Sequence, residues 1–162
     1  MRIKACILSL AVLLTACSSI DCQLNGTVYC HFEIQSEDGQ SATLTMPLSV
    51  TLNRAATYGD TVYINSQDNV SQFDVPLSYA ANTDKITLTL HNGTESTIQD
   101  TVSITKTNEP YFESADCAPR FNHTLENASS TNNFIKEIII NDSKVSNNAN
   151  VTNIYIRVIS NN

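Results

Sequence analysis

The chain has 162 residues, 41% of them hydrophobic and 15% charged, with nine Lys/Arg against 16 Asp/Glu and a formal net charge of −7; this is the length of one domain. Asn, Thr and Ser together supply 53 residues while Gly and Pro occur four times each and Trp is absent, which excludes collagen-like and coiled-coil chains. Phosphate binding is driven by clustered Lys/Arg, so an acidic chain without a basic run also excludes nucleic acid as a partner.

Residues 1–16 read as a lipoprotein signal peptide. Met1 to Lys4 is a short cationic head, Ile7 to Leu14 is apolar apart from Ser9, and the small pair Thr15-Ala16 precedes Cys17. The apolar run is too short to span a bilayer, which takes roughly 20 residues, so it targets rather than anchors. Leu14-Thr15-Ala16-Cys17 resembles a bacterial lipobox, in which the Cys thiol receives a diacylglycerol before cleavage, so Cys17 is the expected lipidation site. Each buried CH₂ contributes about 0.8 kcal/mol, and two or three acyl chains give stable anchoring. Cleavage leaves seven basic against 16 acidic side chains, a formal charge of −9, which an anionic membrane surface repels. Ser18 in place of Asp resembles outer-membrane sorting. Residues 17–26 then form an acylated tether.

From residue 27 to 160 the period is two. Val28-Cys30-Phe32-Ile34 alternates with polar residues, and in Thr43 to Leu52 the residues Leu44, Met46, Leu48, Val50 and Leu52 share one face, the pattern of a half-buried strand. Pro47 marks that strand as an edge or bulged one. Val62-Ile64, Phe73-Val75-Leu77-Tyr79, Ile86-Leu88-Leu90, Val102-Ile104, Phe121-His123-Leu125, Phe134 to Ile140 and Ile154-Ile156-Val158 follow. Polar turn-rich stretches separate most of these nine candidate strands, and no long helical period exists. The expected fold is all-β: a single domain forming an antiparallel two-sheet β-sandwich of about nine short strands, with a small β-barrel as the alternative.

The mature thiols are Cys22, Cys30 and Cys117. Cys30 shares the apolar face of its strand and behaves as a small buried hydrophobe. Cys22 precedes the first strand and Cys117 lies in the turn-like Asp116-Cys117-Ala118-Pro119, so Cys22–Cys117 is the favoured bridge in an exported, oxidising compartment. Cys22–Cys30, Cys30–Cys117 and three free thiols remain the alternatives. A loop of about 95 residues closed in this way contributes roughly 4–5 kcal/mol in the chain-entropy model.

His31, His91 and His123 are separated from each other and lack ligand-spaced partners, His123 reading as a satisfied half-buried imidazole. No Gly-x-Ser-x-Gly elbow and no Gly-rich phosphate loop occurs. The expectation is a non-enzymatic protein with no cofactor and no metal. Asp60-Thr61-Val62 and Asp100-Thr101-Val102 resemble the Asp-Thr/Ser-aliphatic acceptor for O-glycosylation of exported Bacteroidetes proteins, making Thr61 and Thr101 candidate modification sites; Asp-Thr-Val also suits the start of a strand, with Asp closing the turn. Thr43, Thr45, Thr51, Thr87 and Thr89 line solvated strand faces.

Cys17-Ser18-Ser19-Ile20-Asp21-Cys22, and Asp100-Thr101-Val102 running into Lys106-Thr107-Asn108-Glu109-Pro110-Tyr111-Phe112-Glu113-Ser114-Ala115-Asp116-Cys117, resemble the DUF6452 family of Bacteroidetes lipoproteins of unknown function. The likeness extends through Leu125, Ile138 to Asn141 and Asn153 to Arg157. It implies that Cys22 and Cys117 are the shared cysteines and Cys30 is not, and it brings no activity or catalytic residue. It also implies a small outer-membrane-associated β-domain accessory to an outer-membrane β-barrel protein.

The resulting expectation is a lipid-anchored outer-membrane protein, on the periplasmic rather than the cell-surface side, that docks on an envelope partner. Lys106, Pro110 and Tyr111 are the candidate contact residues, in an exposed connection from Lys106 to Asp116 with Tyr111 and Phe112 as an anchor pair. The competing expectation makes Phe112 core and the segment a disulfide-bonded turn. A glycan- or small-ligand-binding lipoprotein is the alternative function, and a hydrolase the third.

Overall fold

The computed structural model describes residues 27–54, 59–93, 96–112, 114–146 and 151–159; the signal peptide, Cys17, Cys22 and the tether lie outside them. Among the described residues ten strands follow one another without a helix: β1 Tyr29–Gln35, β2 Leu48–Asn53, β3 Thr61–Gln67, β4 Gln72–Pro76, β5 Thr83–Asn92, β6 Ser96–Tyr111, β7 Arg120–Ser129, β8 Ile135–Ile140, β9 Lys144–Val145 and β10 Ile154–Val158. They form a four-stranded sheet in the order β4-β1-β10-β8 and a six-stranded sheet in the order β3-β2-β5-β6-β7-β9. No helix among the described residues is long and apolar enough to cross a membrane.

The inward alternation builds one core between the sheets. Cys30, Phe32, Ile34, Val75, Ile135, Ile154 and Ile156 from the smaller sheet meet Leu48, Val50, Ile86, Leu88, Val102 and Ile104 from the larger. Each such side chain contributes about 1.5–3 kcal/mol by leaving water. Phe32 and Phe73, directly opposite across β1 and β4, stack with centroids 4.8 Å apart.

Four features depart from the sequence expectation. The smaller sheet is mixed, not antiparallel throughout: β1 and β10 run parallel, with Phe32 opposite Ile154 and Gln35 opposite Arg157. Alternation encodes which face a residue takes, not which way its neighbour runs, and a buried Asn sets this pairing: His31 N donates to Asn153 Oδ1 (3.0 Å) while Asn153 N donates to His31 O (2.9 Å). The strand read as Thr43 to Leu52 begins only at Leu48, after Pro47, and lies inside the sheet between β3 and β5 rather than at an edge, its irregular register against β3 agreeing with the bulged alternative. Leu44 is still buried, its N–H donating to Val70 O. The edge is β3, whose pairing with β2 slips twice and whose Val62 faces solvent. Finally, β6 continues to Tyr111, so Lys106 to Tyr111 is strand, not a connection, because it has β7 to pair with from Lys106–Leu125 to Tyr111–Arg120. β9, only two residues long, is a tenth strand too short to register as alternation.

Candidate functional site

One end of the sandwich gathers most of the segment nominated by sequence. Tyr29, where β1 begins, lies opposite Pro76, where β4 ends. The connection from 77 to 82 then crosses to the other sheet, where Lys106 N donates to Asn82 O (2.9 Å). Pro110 and Phe121 face each other across β6 and β7 at this same end.

Lys106 is not a surface contact; it is 1% exposed. A buried ammonium is tolerated only when paired and fully hydrogen-bonded, and this one donates to Ser78 O (2.5 Å), Ala81 O (2.6 Å) and Asn108 Oδ1 (3.0 Å) and lies 3.2 Å from Asp84 Oδ2. Asp84 is held in turn by Ser78 N, which donates to both carboxylate oxygens, and by Arg54 at 3.9 Å. The signal was present in the sequence: Lys106 keeps period two with Val102 and Ile104, on the inward face.

Asn108 continues the clamp. Its Nδ2 donates to Tyr79 O (3.1 Å) and Ala81 O (3.1 Å), and its Oδ1 accepts from His123 Nδ1 (2.7 Å). Burial, with the Lys106 charge adding to it, pushes the His123 pKa down to about 4, so the imidazole is neutral at pH 7 and serves as a donor. His123 is thus the satisfied buried histidine its apolar strand face implied.

This polar clamp fixes an apolar lip. The Tyr79 ring, 67% exposed, stacks on Phe121 with centroids 5.1 Å apart and planes 13° from parallel. Pro110 is exposed and Tyr111 half-buried. Phe112 is 63% exposed, which overturns the reading of it as core: β6 ends at Tyr111, past the rim of the sandwich, and Phe112 has left the sheet.

The two Asp-Thr-Val triplets occupy unlike places. Thr61 is the exposed first residue of β3, with Asp60 accepting from Asn53 Nδ2 (3.1 Å). Asp100 lies inside β6 rather than at a strand start, and is buried. Its carboxylate accepts from Thr131 Oγ1 (2.6 Å), Asn133 N, Phe134 N and Ile135 N (each 2.8 Å), stapling the β7–β8 connection to β6. Burial pushes its pKa up, but these donors outweigh burial and hold the carboxyl below its usual value. Thr101 is half-buried beside this staple, its N–H donating to Thr131 Oγ1 (3.0 Å).

His31 Nδ1 donates to Asp74 (2.5 Å) on the outer face of the smaller sheet, and His91 Nε2 lies 2.8 Å from Ser49 Oγ, which accepts from Ser66 N. Sequence reasoning missed this last contact because the residues sit on separate strands. Among the described residues no group of three or more His, Cys, Asp or Glu is placed to hold a metal ion. Cys30 is a free, buried thiol, its pKa pushed up by burial first and by the charges of Asp84 and Asp74 after it. Cys117 is disulfide-bonded; Cys22, its expected partner, is outside the described residues.

Residues 48–158 match the family described as a family of unknown function (DUF6452). No curated protein and no solved structure matches the chain. With more than two thirds of its 162 residues matched, the chain belongs to the DUF6452 family.

Proposed function

We propose that the protein is a non-enzymatic lipoprotein, acylated at Cys17 and held on the periplasmic side of the outer membrane, that docks on an outer-membrane protein through the end carrying Tyr79, Pro110, Phe112 and Phe121. The observation that supports this most is the exposed lip itself: solvent-facing aromatics on a preorganised support. Exposed apolar groups of this kind mark interaction surfaces, and aromatic anchors dominate interface energetics. Preorganisation adds to affinity because Lys106 and Asn108 have already ordered the 77–82 connection before a partner arrives.

Lys106 supports the surface from behind, and Pro110 and Tyr111 belong to the contact end. Cys22 is the proposed partner of Cys117, tying the tether to the 112–119 connection. Thr61 is the favoured acceptor of the two candidate O-glycosylation sites, because it is exposed while Thr101 sits beside a carboxylate already engaged by four donors.

The test is a crosslinked pull-down of the acylated protein from its native outer membrane, with Cys17→Ala as the mislocalised control. A stoichiometric membrane-protein partner recovered only with the anchored form supports the docking role. Recovery of the protein alone refutes it, and a glycan and small-ligand screen on the soluble domain becomes the next step.

A further inference from the structure

The aromatic lip and the entry of the tether share one end of the sandwich. Residue 29 begins β1 opposite Pro76; the next connection carries Tyr79, clamped to Asn108 of β6 and stacked on Phe121. Phe112 and Cys117 leave and re-enter the larger sheet at this same end, between β6 and β7. The opposite end, some 15 residues back along β6, carries the facing pair Asn92 and Ser96, where β5 ends and β6 begins.

We infer that the acylated protein stands end-on at the bilayer with the Tyr79–Phe121–Phe112 lip seated in the headgroup layer of zwitterionic lipid. The inference rests on the acylation and the Cys22–Cys117 pairing of the proposed function. The length of chain outside the described residues carries it. Five residue steps separate Cys17 from Cys22, at most about 18 Å of extended chain at 3.3–3.6 Å per step. Once Cys22 is tied to Cys117, a bridge that adds about 4.4–6.8 Å between Cα atoms, Cys117 stands within about 25 Å of the acylated residue, whereas Asn92 and Ser96 lie a full β6 length away.

The side chains at this end suit that depth. Tyr prefers the membrane–water interface, where its apolar ring and polar tip are both satisfied, and a Phe ring gains there by leaving water; Tyr79 and Phe112 are the two most exposed aromatic residues described. The charge selects the lipid. Of the basic side chains at this end, Lys106 and Arg120 are buried, Arg54 is held by Pro76 O and Asp84 and Lys144 is paired with Glu109; with the mature chain strongly acidic, anionic headgroups are disfavoured. The lip rests in lipid when no partner is bound, so the docking partner that displaces this lipid is an integral membrane protein, which offers a surface at that height, rather than a free periplasmic one.

The chain has no Trp, so one introduced Trp reports its own surroundings. The experiment takes full-length acylated protein carrying Phe112→Trp, or Tyr79→Trp as an independent second position, in phosphatidylcholine vesicles with and without headgroup spin-labelled lipid. Ser96→Trp, at the far end, is the comparison. The expected result is a blue-shifted emission that loses intensity to the headgroup quencher at residues 112 and 79 and not at residue 96, and that weakens when anionic lipid is mixed in. Unquenched emission at both lip positions in protein that floats with the vesicles overturns the inference while leaving partner docking to the pull-down. Failure of the acylated protein to float with the vesicles overturns it together with the anchor.

Discussion

Replacing Lys106 by Met keeps an unbranched side chain one atom shorter and removes its charge and three donors. Four oxygens then lose a partner, and they do not lose it equally. Ser78 O and Ala81 O belong to half-exposed and exposed residues, so water can replace the ammonium there. Asn108 keeps its donor from His123. Asp84 keeps Ser78 N and a distant Arg54 but loses its closest cation, at 3.2 Å, with its side chain only 11% exposed. Breaking a buried pair by removing one member costs about 3–5 kcal/mol, and the partial rescue by water places Lys106→Met near 3 kcal/mol. Lys144→Met is the control, since Lys144 and Glu109 form an exposed pair of the kind that contributes about 0–1 kcal/mol. Urea unfolding measures both, and hydrogen exchange at Ser78 should accelerate in Lys106→Met because its N–H is held by Asp84. A Lys106→Met loss no larger than that of Lys144→Met would refute the idea that the buried ammonium holds the lip in place.

Three further outcomes follow from the same structure. Asp100→Asn should cost about 2 kcal/mol: the carboxamide oxygen can stay with Phe134 N and Ile135 N, but its NH₂ then faces the Asn133 and Thr131 donors, and a mismatched polar group costs about 1–3 kcal/mol; chemical denaturation gives the value, and a neutral effect would contradict the staple. His123 titrates near 4 in the fold against 6.5 when unfolded, so the unfolded chain takes up the proton first; up to about 3 kcal/mol of stability is present above pH 6.5, falls away between pH 6.5 and 4, and is absent below. His123→Gln should flatten that slope in unfolding measured across pH, while the depressed pKa of Asp100 acts below pH 4, where stability is lost as its carboxylate protonates. Intact-mass analysis of the exported protein should show Thr61→Ala removing any O-glycan and Thr101→Ala leaving it; the reverse would show that burial beside Asp100 does not govern access.

The alternation of Cys30-Phe32-Ile34, Ile86-Leu88-Leu90 and Ile154-Ile156 was enough to read the strands, their inward faces and the two-sheet architecture, because burial of one face is a local property with a period of two. Direction was not legible: the parallel pairing of β1 with β10 is set by Asn153, whose side chain binds His31 N from 122 residues away. Nor was the start of β2, since Leu44 and Met46 keep the apolar rhythm although Pro47 separates them from the sheet. The Lys106 to Tyr111 segment was misread in its structure. A lysine suggests a surface, yet Lys106 stands in phase with Val102 and Ile104, and Asp100 in phase with both; a charged residue on an inward face signals a buried clamp whose partners, on the 77–82 and β7–β8 connections, no spacing could supply. Tyr79, which alternation assigned to the core, became part of the lip because β4 ends at Pro76.

The most direct measurement is quantitative crosslinking and pull-down from the native outer membrane with the lip altered at its two most exposed aromatics, Tyr79→Ser and Phe112→Ser, alongside the wild type. Both variants should stay folded and keep the membrane fraction of the wild type, Tyr79→Ser unfolding somewhat earlier because it loses the stack on Phe121, while losing the stoichiometric membrane-protein partner. Full recovery of that partner with both aromatics removed would contradict the docking role of this end of the sandwich.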